Sequence, residues 1–409
     1  MATLLDYVIK IGRQSFEETE LTELDIAVLN ELGYLPVGEL LSEIDGTKDS
    51  RATYSVIELL PLYQRIKDEI QVTFLVTRER LELLDAVLAS PRYQDLHFGN
   101  YINDISTEFE KQFAAIVMSF PSQEHTQVVF RGTDDTLIGW KEDLNMTYMS
   151  EIPAQRSAKR YLAQILESVE GPIIVSGHSK GGNLALFASS SILESLQNKV
   201  SEIYLFDSPG LHPWYLETYG YRQIRHKLRV YRPYESVVGV MLALDIEPRI
   251  VASAEKGFAQ HIMMSWEVED HDFVRLEEES AFSQALQQTF SDWMASYSKQ
   301  ELKIMVDSFF SIFMDAGLNS LDDFTMLSQG SLNRLISQFS SVEPAKRNLM
   351  LKSLSKMVDL YVKHNRELKK NQAAKLAQNH YQTHFLDRIL DGILKRKMVS
   401  PSETSSTND

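Results

Sequence analysis

One stretch limits the folds open to this chain more than any other: Ile173-Ile-Val-Ser-Gly-His-Ser-Lys-Gly-Gly-Asn-Leu-Ala-Leu-Phe-Ala188. An apolar strand runs into Gly177-His178-Ser179-Lys180-Gly181, and a helix follows at once. This is G-x-S-x-G placed between strand and helix, the context that gives the pattern meaning. So sharp a turn forces Ser179 into a strained backbone conformation. Gly177 and Gly181 carry no Cβ, so the two elements can approach closely around it. The hydroxyl is pushed into open space at the sheet edge, and the helix N-terminus adds partial positive charge where an oxyanion would form. Ala185 and Ala188 let the helix lie near the sheet. The competing reading is a Gly-rich loop with an idle serine; the flanking elements and Gly182 argue against it.

Such a turn needs a sheet, and the neighbouring sequence supplies one. Phe113–Phe120 and Gln127–Phe130 are short apolar runs separated by a polar turn, which reads as a hairpin or adjacent strands. Pro172–Ser176, Glu202–Phe206, Lys227–Tyr231 and Arg249–Ala252 follow, alternating with helical stretches such as Ser157–Glu167 and Lys180–Leu196. Apolar runs of this length between helices predict an α/β fold with a mostly parallel central sheet. Residues 1–70 read as helices, with Leu24, Ile26, Leu29, Leu32 and Leu35 forming a rough stripe. A further helix is expected over 75–89 and a loop over 91–99. Past Ala281 the pattern is helical to 398, and 399–409 is Ser/Thr-rich and expected to be disordered. The expected organisation is therefore a helical segment (1–70), an α/β core (71–280), a helical region (281–398) and a tail.

Val128-Val-Phe-Arg-Gly-Thr133, followed by Trp140 and Asp143, ends a strand upstream of the Ser179 turn. Together with Gly-His-Ser-x-Gly-Gly it resembles the class 3 (fungal-type) lipases of the α/β-hydrolase fold. Glu20–Ala27, Ser90–Ile105, Asp207-Ser-Pro-Gly210, Gln260-His261 with Trp266 nearby, and the helical C-terminal part extend the likeness. In these the chain is similar to a bacterial family of uncharacterised lipase-like hydrolases common in Gram-positive bacteria, over nearly its whole length. The resemblance implies that backbone N–H groups of Thr133 and Lys180 form an oxyanion hole, since two donors must converge on the carbonyl oxygen of a bound ester. It implies that Trp140 and Asp143 brace that loop. Class 3 lipases usually carry Leu where Lys180 stands, so a charged side chain here sits beside the nucleophile.

A nucleophilic serine needs a base, and the base an orienting acid, in the chain order Ser, Asp/Glu, His. His212 and His226 precede strands still to be laid down, and His178 points away from Ser179 by alternation. His261 follows the last expected strand in a loop and matches the family's Gln-His; His271 is the reserve. Two acids remain open. Asp207 ends the strand beside the nucleophile strand and resembles the bacterial family's Asp-Gly-Pro-Gly run. Glu235 follows the next strand, at a spacing closer to class 3 lipases. Asp207 is placed first, Glu235 second.

Composition excludes other chemistry. With no cysteine there is no thiol catalysis and no Cys-ligated metal. A net charge of −16 argues against nucleic acid. No His, Asp or Glu set has metal spacing and no nucleotide-binding motif occurs, so no cofactor is expected. The first residues lack the basic start and apolar run of a signal peptide and no apolar stretch is long enough to span a bilayer, so the expected location is the cytoplasm. Residues 363–397 carry nine Lys or Arg against three Asp or Glu, which opens peripheral membrane contact, although Leu386, Ile389, Leu390, Ile393 and Leu394 also suit packing on the main domain. The expected activity is a serine esterase or lipase acting on a small ester or lipid. The rival is a hydrolase-fold protein whose role is binding. Oligomeric state is left open.

Overall fold

Phe113–Phe120 forms a long central strand because its alternate residues serve opposite layers: Ile116 and Met118 pack with the N-terminal helices, Ala115 and Val117 with helices on the other face. The computed structural model describes residues 1–35, 53–73, 75–320, 323 and 329–397, with 372–397 as backbone alone. In chain order come α1 (Leu4–Ile11), α2 (Glu23–Leu32), β1 (Thr53–Ser55), α3 (Val56–Ile66), α4 (Arg78–Leu88), β2 (His97–Ser106), β3 (Lys111–Phe120) and β4 (His125–Phe130). Then follow α5 (Leu137–Asn145), α6 (Pro153–Ser168), β5 (Ile173–His178), α7 (Lys180–Ser191), α8 (Glu194–Gln197), β6 (Val200–Phe206), α9 (Tyr219–Ile224), β7 (Leu228–Pro233) and β8 (Arg249–Val251). Three short strands, β9 (Val268–Glu269), β10 (Asp272–Phe273) and β11 (Arg275–Leu276), lead to α10 (Ala281–Ala295), α11 (Lys299–Asp315), α12 (Gln329–Ser341) and α13 (Pro344–Lys397).

Among the described residues the main sheet runs β1-β2-β3-β4-β5-β6-β7-β8-β11. β1 to β4 pair antiparallel, β4 to β8 pair parallel, and β11 closes antiparallel on β8. With the Ser179 turn at the end of the central parallel strand β5, this is the α/β-hydrolase fold. Five strands depart from expectation: β9, β10 and β11, of two residues each, follow Arg249–Ala252, the last run that reads as a strand. β1 lies inside the segment read as helical, and β2 starts within the expected loop; its half-exposed residues, such as Ile102, Asp104 and Ile105, give no apolar run to read.

The N-terminal helices are built into the core. Every residue of α2 from Leu24 to Leu32 is buried, and its Asp25 is held by Arg92 at 2.7 Å and by the Tyr93 hydroxyl at 2.6 Å. Gln127 of β4 donates to the Ile26 carbonyl (3.0 Å) and Ser176 of β5 to Asn30 (3.0 Å), so α2 is bonded to both β4 and β5. At the other end, Leu302, Met305, Val306 and Phe310 of α11 pack on Leu137 and Tyr148 of the core. The basic stretch lies in α13, where Leu360 just before it and His364 at its start are buried, and His364 bonds Asp292 of α10. The side chains of Leu386 to Leu394, and the tail 399–409, lie outside the described residues. Among the described residues no helix is long and apolar enough to cross a membrane.

Candidate active site

Ser179 sits between β5 and α7 with φ 59° and ψ −134°. A residue with a side chain in this region stores strain on the order of 1–3 kcal/mol. The turn tolerates it because a Cβ on Gly177 would lie 2.1 Å from the Gly181 carbonyl carbon, and one on Gly181 would lie 2.1 Å from the Phe130 oxygen. The Ser179 N–H is anchored on the Phe206 carbonyl at 2.9 Å.

Asp207 follows β6, also with positive φ (39°), and is fully buried. One carboxylate oxygen accepts from the Ser236 hydroxyl (2.5 Å) and the Gly239 N–H (3.0 Å); the other accepts Nδ1–H of His261 at 2.6 Å. That bond fixes the tautomer and leaves the neutral imidazole's lone pair on Nε2. Ser179 Oγ and His261 Nε2 make no hydrogen bond to one another in this state, and such contacts commonly tighten only when substrate binds.

Glu235, the alternative acid, does not touch His261. It receives Gly257 N–H (2.6 Å) and the Gln260 amide (3.2 Å), while its own N–H donates to Gln260 Oε1 (2.7 Å). Trp266 Nε1–H donates to the Gln260 carbonyl (2.8 Å). Glu235 and Trp266 thus hold the loop that carries His261. His271 lies elsewhere, beside Glu23, Glu202 and Arg275.

His178 does point away from Ser179, and it meets His261 instead: their ring centroids are 4.4 Å apart. Its Nε2–H donates to the His261 carbonyl (2.7 Å), so its Nδ1 accepts from the Tyr34 hydroxyl (2.8 Å). Burial first, then the neighbouring His261, hold His178 well below the usual imidazole range, so it stays neutral. A Cβ on Gly132 would lie 2.2 Å from the Tyr34 oxygen and 3.2 Å from Ser179 Cβ, which places the next residue, Thr133, near Ser179.

Thr133 donates its hydroxyl to Asp143 at 2.5 Å, a brace for the loop. Burial pushes the Asp143 carboxyl up to about 6. Lys180 begins α7, so its N–H lacks an intrahelical acceptor. Its side chain does not face the site as a free charge. It is 1% exposed and donates to Glu142 (2.7 Å) and Gln112 (3.1 Å). Tyr34, Ser236 and Glu142 were not readable as site residues, because each acts through a contact far away in sequence. Among the described residues no group of three or more His, Asp or Glu is placed to hold a metal.

The Mbeg1-like family matches residues 87–311. Among solved structures, M37 lipase is similar at 14% identity over 53% of this chain and 68% of that one, with a TM-score of 0.32. A Rhizomucor miehei lipase propeptide complex is similar at 16% identity over 57% and 69%, with a TM-score of 0.31. No curated protein matches the chain.

Proposed function

The chain belongs to the Mbeg1-like family, and on that footing we propose that its lipase-like fold works as a serine hydrolase of carboxylic esters. The observation that carries this is the 2.6 Å bond from His261 Nδ1 to buried Asp207, beside a serine held in a strained turn. Ser179 Oγ attacks the ester carbonyl and gives its proton to His261 Nε2. Asp207 keeps the imidazole oriented and stabilises the imidazolium. The N–H groups of Thr133 and Lys180 receive the oxyanion. His261 passes the proton to the departing alcohol, and water, activated by the same imidazole, releases the acid. Glu235 acts on the position of His261 rather than on its charge.

A fluorophosphonate probe tests the reading. The chain is expected to be labelled at Ser179, and Ser179→Ala to lose both labelling and ester turnover while keeping its circular dichroism. An unlabelled wild-type chain would favour the rival role, a hydrolase fold used for binding.

A further inference from the structure

The helices α10 to α13 cover an apolar cavity of about 420 Å³. This lies within the roughly 300–1,000 Å³ common for small-molecule sites. We propose that it holds the hydrocarbon chain of the acyl group, so that the substrate is the ester of a long, single-chain fatty acid. This rests on the ester chemistry proposed above and adds the class of substrate.

Position is the first argument. The cavity floor is made by loops that also build the site. Pro209 stands two residues beyond Asp207, Met241 and Leu242 follow Gly239, whose N–H binds Asp207, and Asp143 braces Thr133. Chemistry is the second. The polar side chains in the lining are already engaged: Thr147 donates to the Leu144 carbonyl (2.7 Å), and Ser353 accepts from Trp293 Nε1 (2.8 Å). Asp143 accepts from Thr133 and faces Lys180 Nζ at 3.6 Å. The second Asp143 oxygen makes no hydrogen bond, so a polar headgroup would find one carboxyl oxygen among otherwise apolar or engaged walls and would lose most of its hydration; an alkyl chain is the ligand these walls accept.

The lining includes Met146, Met241, Met294, Met305, Met350 and Met357. Unbranched, polarisable thioethers reshape easily, which suits chains of different length or bend. The cavity also has a way in. Phe309, Phe339, Leu351 and Leu354 line it and are at the same time 44%, 36%, 50% and 62% exposed. α12 and α13 lie beyond residue 311, outside the family match.

The test separates chain binding from catalysis. Full-length Ser179→Ala is titrated with palmitate and with butyrate by calorimetry. Palmitate is expected to bind saturably, one per chain, and at least about tenfold tighter than butyrate. Val306→Phe fills the cavity from α11, and Leu354→Asp puts a charge at its exposed mouth. Each, added to Ser179→Ala, is expected to weaken palmitate about tenfold or more. If Val306→Phe does not fold, the exposed Leu354 position decides. Palmitate binding no tighter than butyrate, or unchanged in the folded variants, overturns the proposal. Fluorophosphonate labelling of the unaltered chain is read separately. Selective palmitate binding without labelling keeps the chain site and sinks the ester chemistry; labelling without palmitate binding does the reverse.

Discussion

Asp207 and Glu235 stand at the ends of neighbouring strands, and a loop decides between them. Gly257 to His261 turns its imidazole toward Asp207 and its backbone toward Glu235. Asp207→Asn offers His261 an amide that can favour the wrong tautomer, so kcat is expected to fall by about 10⁴, the loss known for the same change in the best-studied triad. Glu235→Gln keeps the side chain's shape and weakens the grip on Gly257 and Gln260 without touching the imidazole, so a much smaller loss is expected. Steady-state kinetics of both variants checks this, and the reverse ranking would move the acid to Glu235. The two acids cannot be separated in sequence, because spacing along the chain says nothing of how that loop folds back. Ser179 is readable because its signal is local: strand, two glycines and helix lie within sixteen residues, 173–188. Tyr34 is unreadable for the opposite reason, since its partner His178 lies 144 residues away.

Lys180 links elements rather than facing a substrate. Its ammonium meets Glu142 of α5, and that carboxylate also accepts the backbone N–H groups of Gln112 in β3 (2.9 Å) and Ala154 in α6 (2.7 Å). One buried ion pair therefore joins α5, α6, α7 and β3 next to Ser179. Lys180→Leu leaves the Glu142 charge uncompensated and is expected to cost about 3–5 kcal/mol. The double variant Lys180→Leu, Glu142→Gln is expected to recover most of that loss. Urea unfolding of the two variants measures the difference, and a single variant as stable as wild type would refute the clamp. Among the elements, the parallel strands are legible because each is a short run of buried apolar residues. β2 is not, because half-exposed positions carry polar residues and leave no such run. The C-terminal helices are legible as helices, but periodicity does not say that their apolar faces leave a cavity between them.

The molecule as a whole carries a net charge of −16, and the cation that follows Ser179 in sequence, Lys180, is paired with Glu142. The overall field therefore slows the approach of anions. Neutral esters are expected to show a higher kcat/KM than anionic esters of equal acyl length at low salt, with the gap narrowing as salt is added. An anionic ester preferred at low salt would mean that local cations govern the entrance. The burial of α2 has a further consequence, one of time. This helix is bonded to Ser176 across 146 residues and to Met263 across 233. At ordinary rates of synthesis, about 5–20 residues per second, α2 leaves the ribosome on the order of ten seconds before the strand that covers it. During that interval Leu24, Ile26, Val28, Leu29 and Leu32 can pack on the nearby helices α1 and α4 but lack the sheet that completes their burial. Until β5 is made, the sheet-facing side of α2 is therefore open to aggregation.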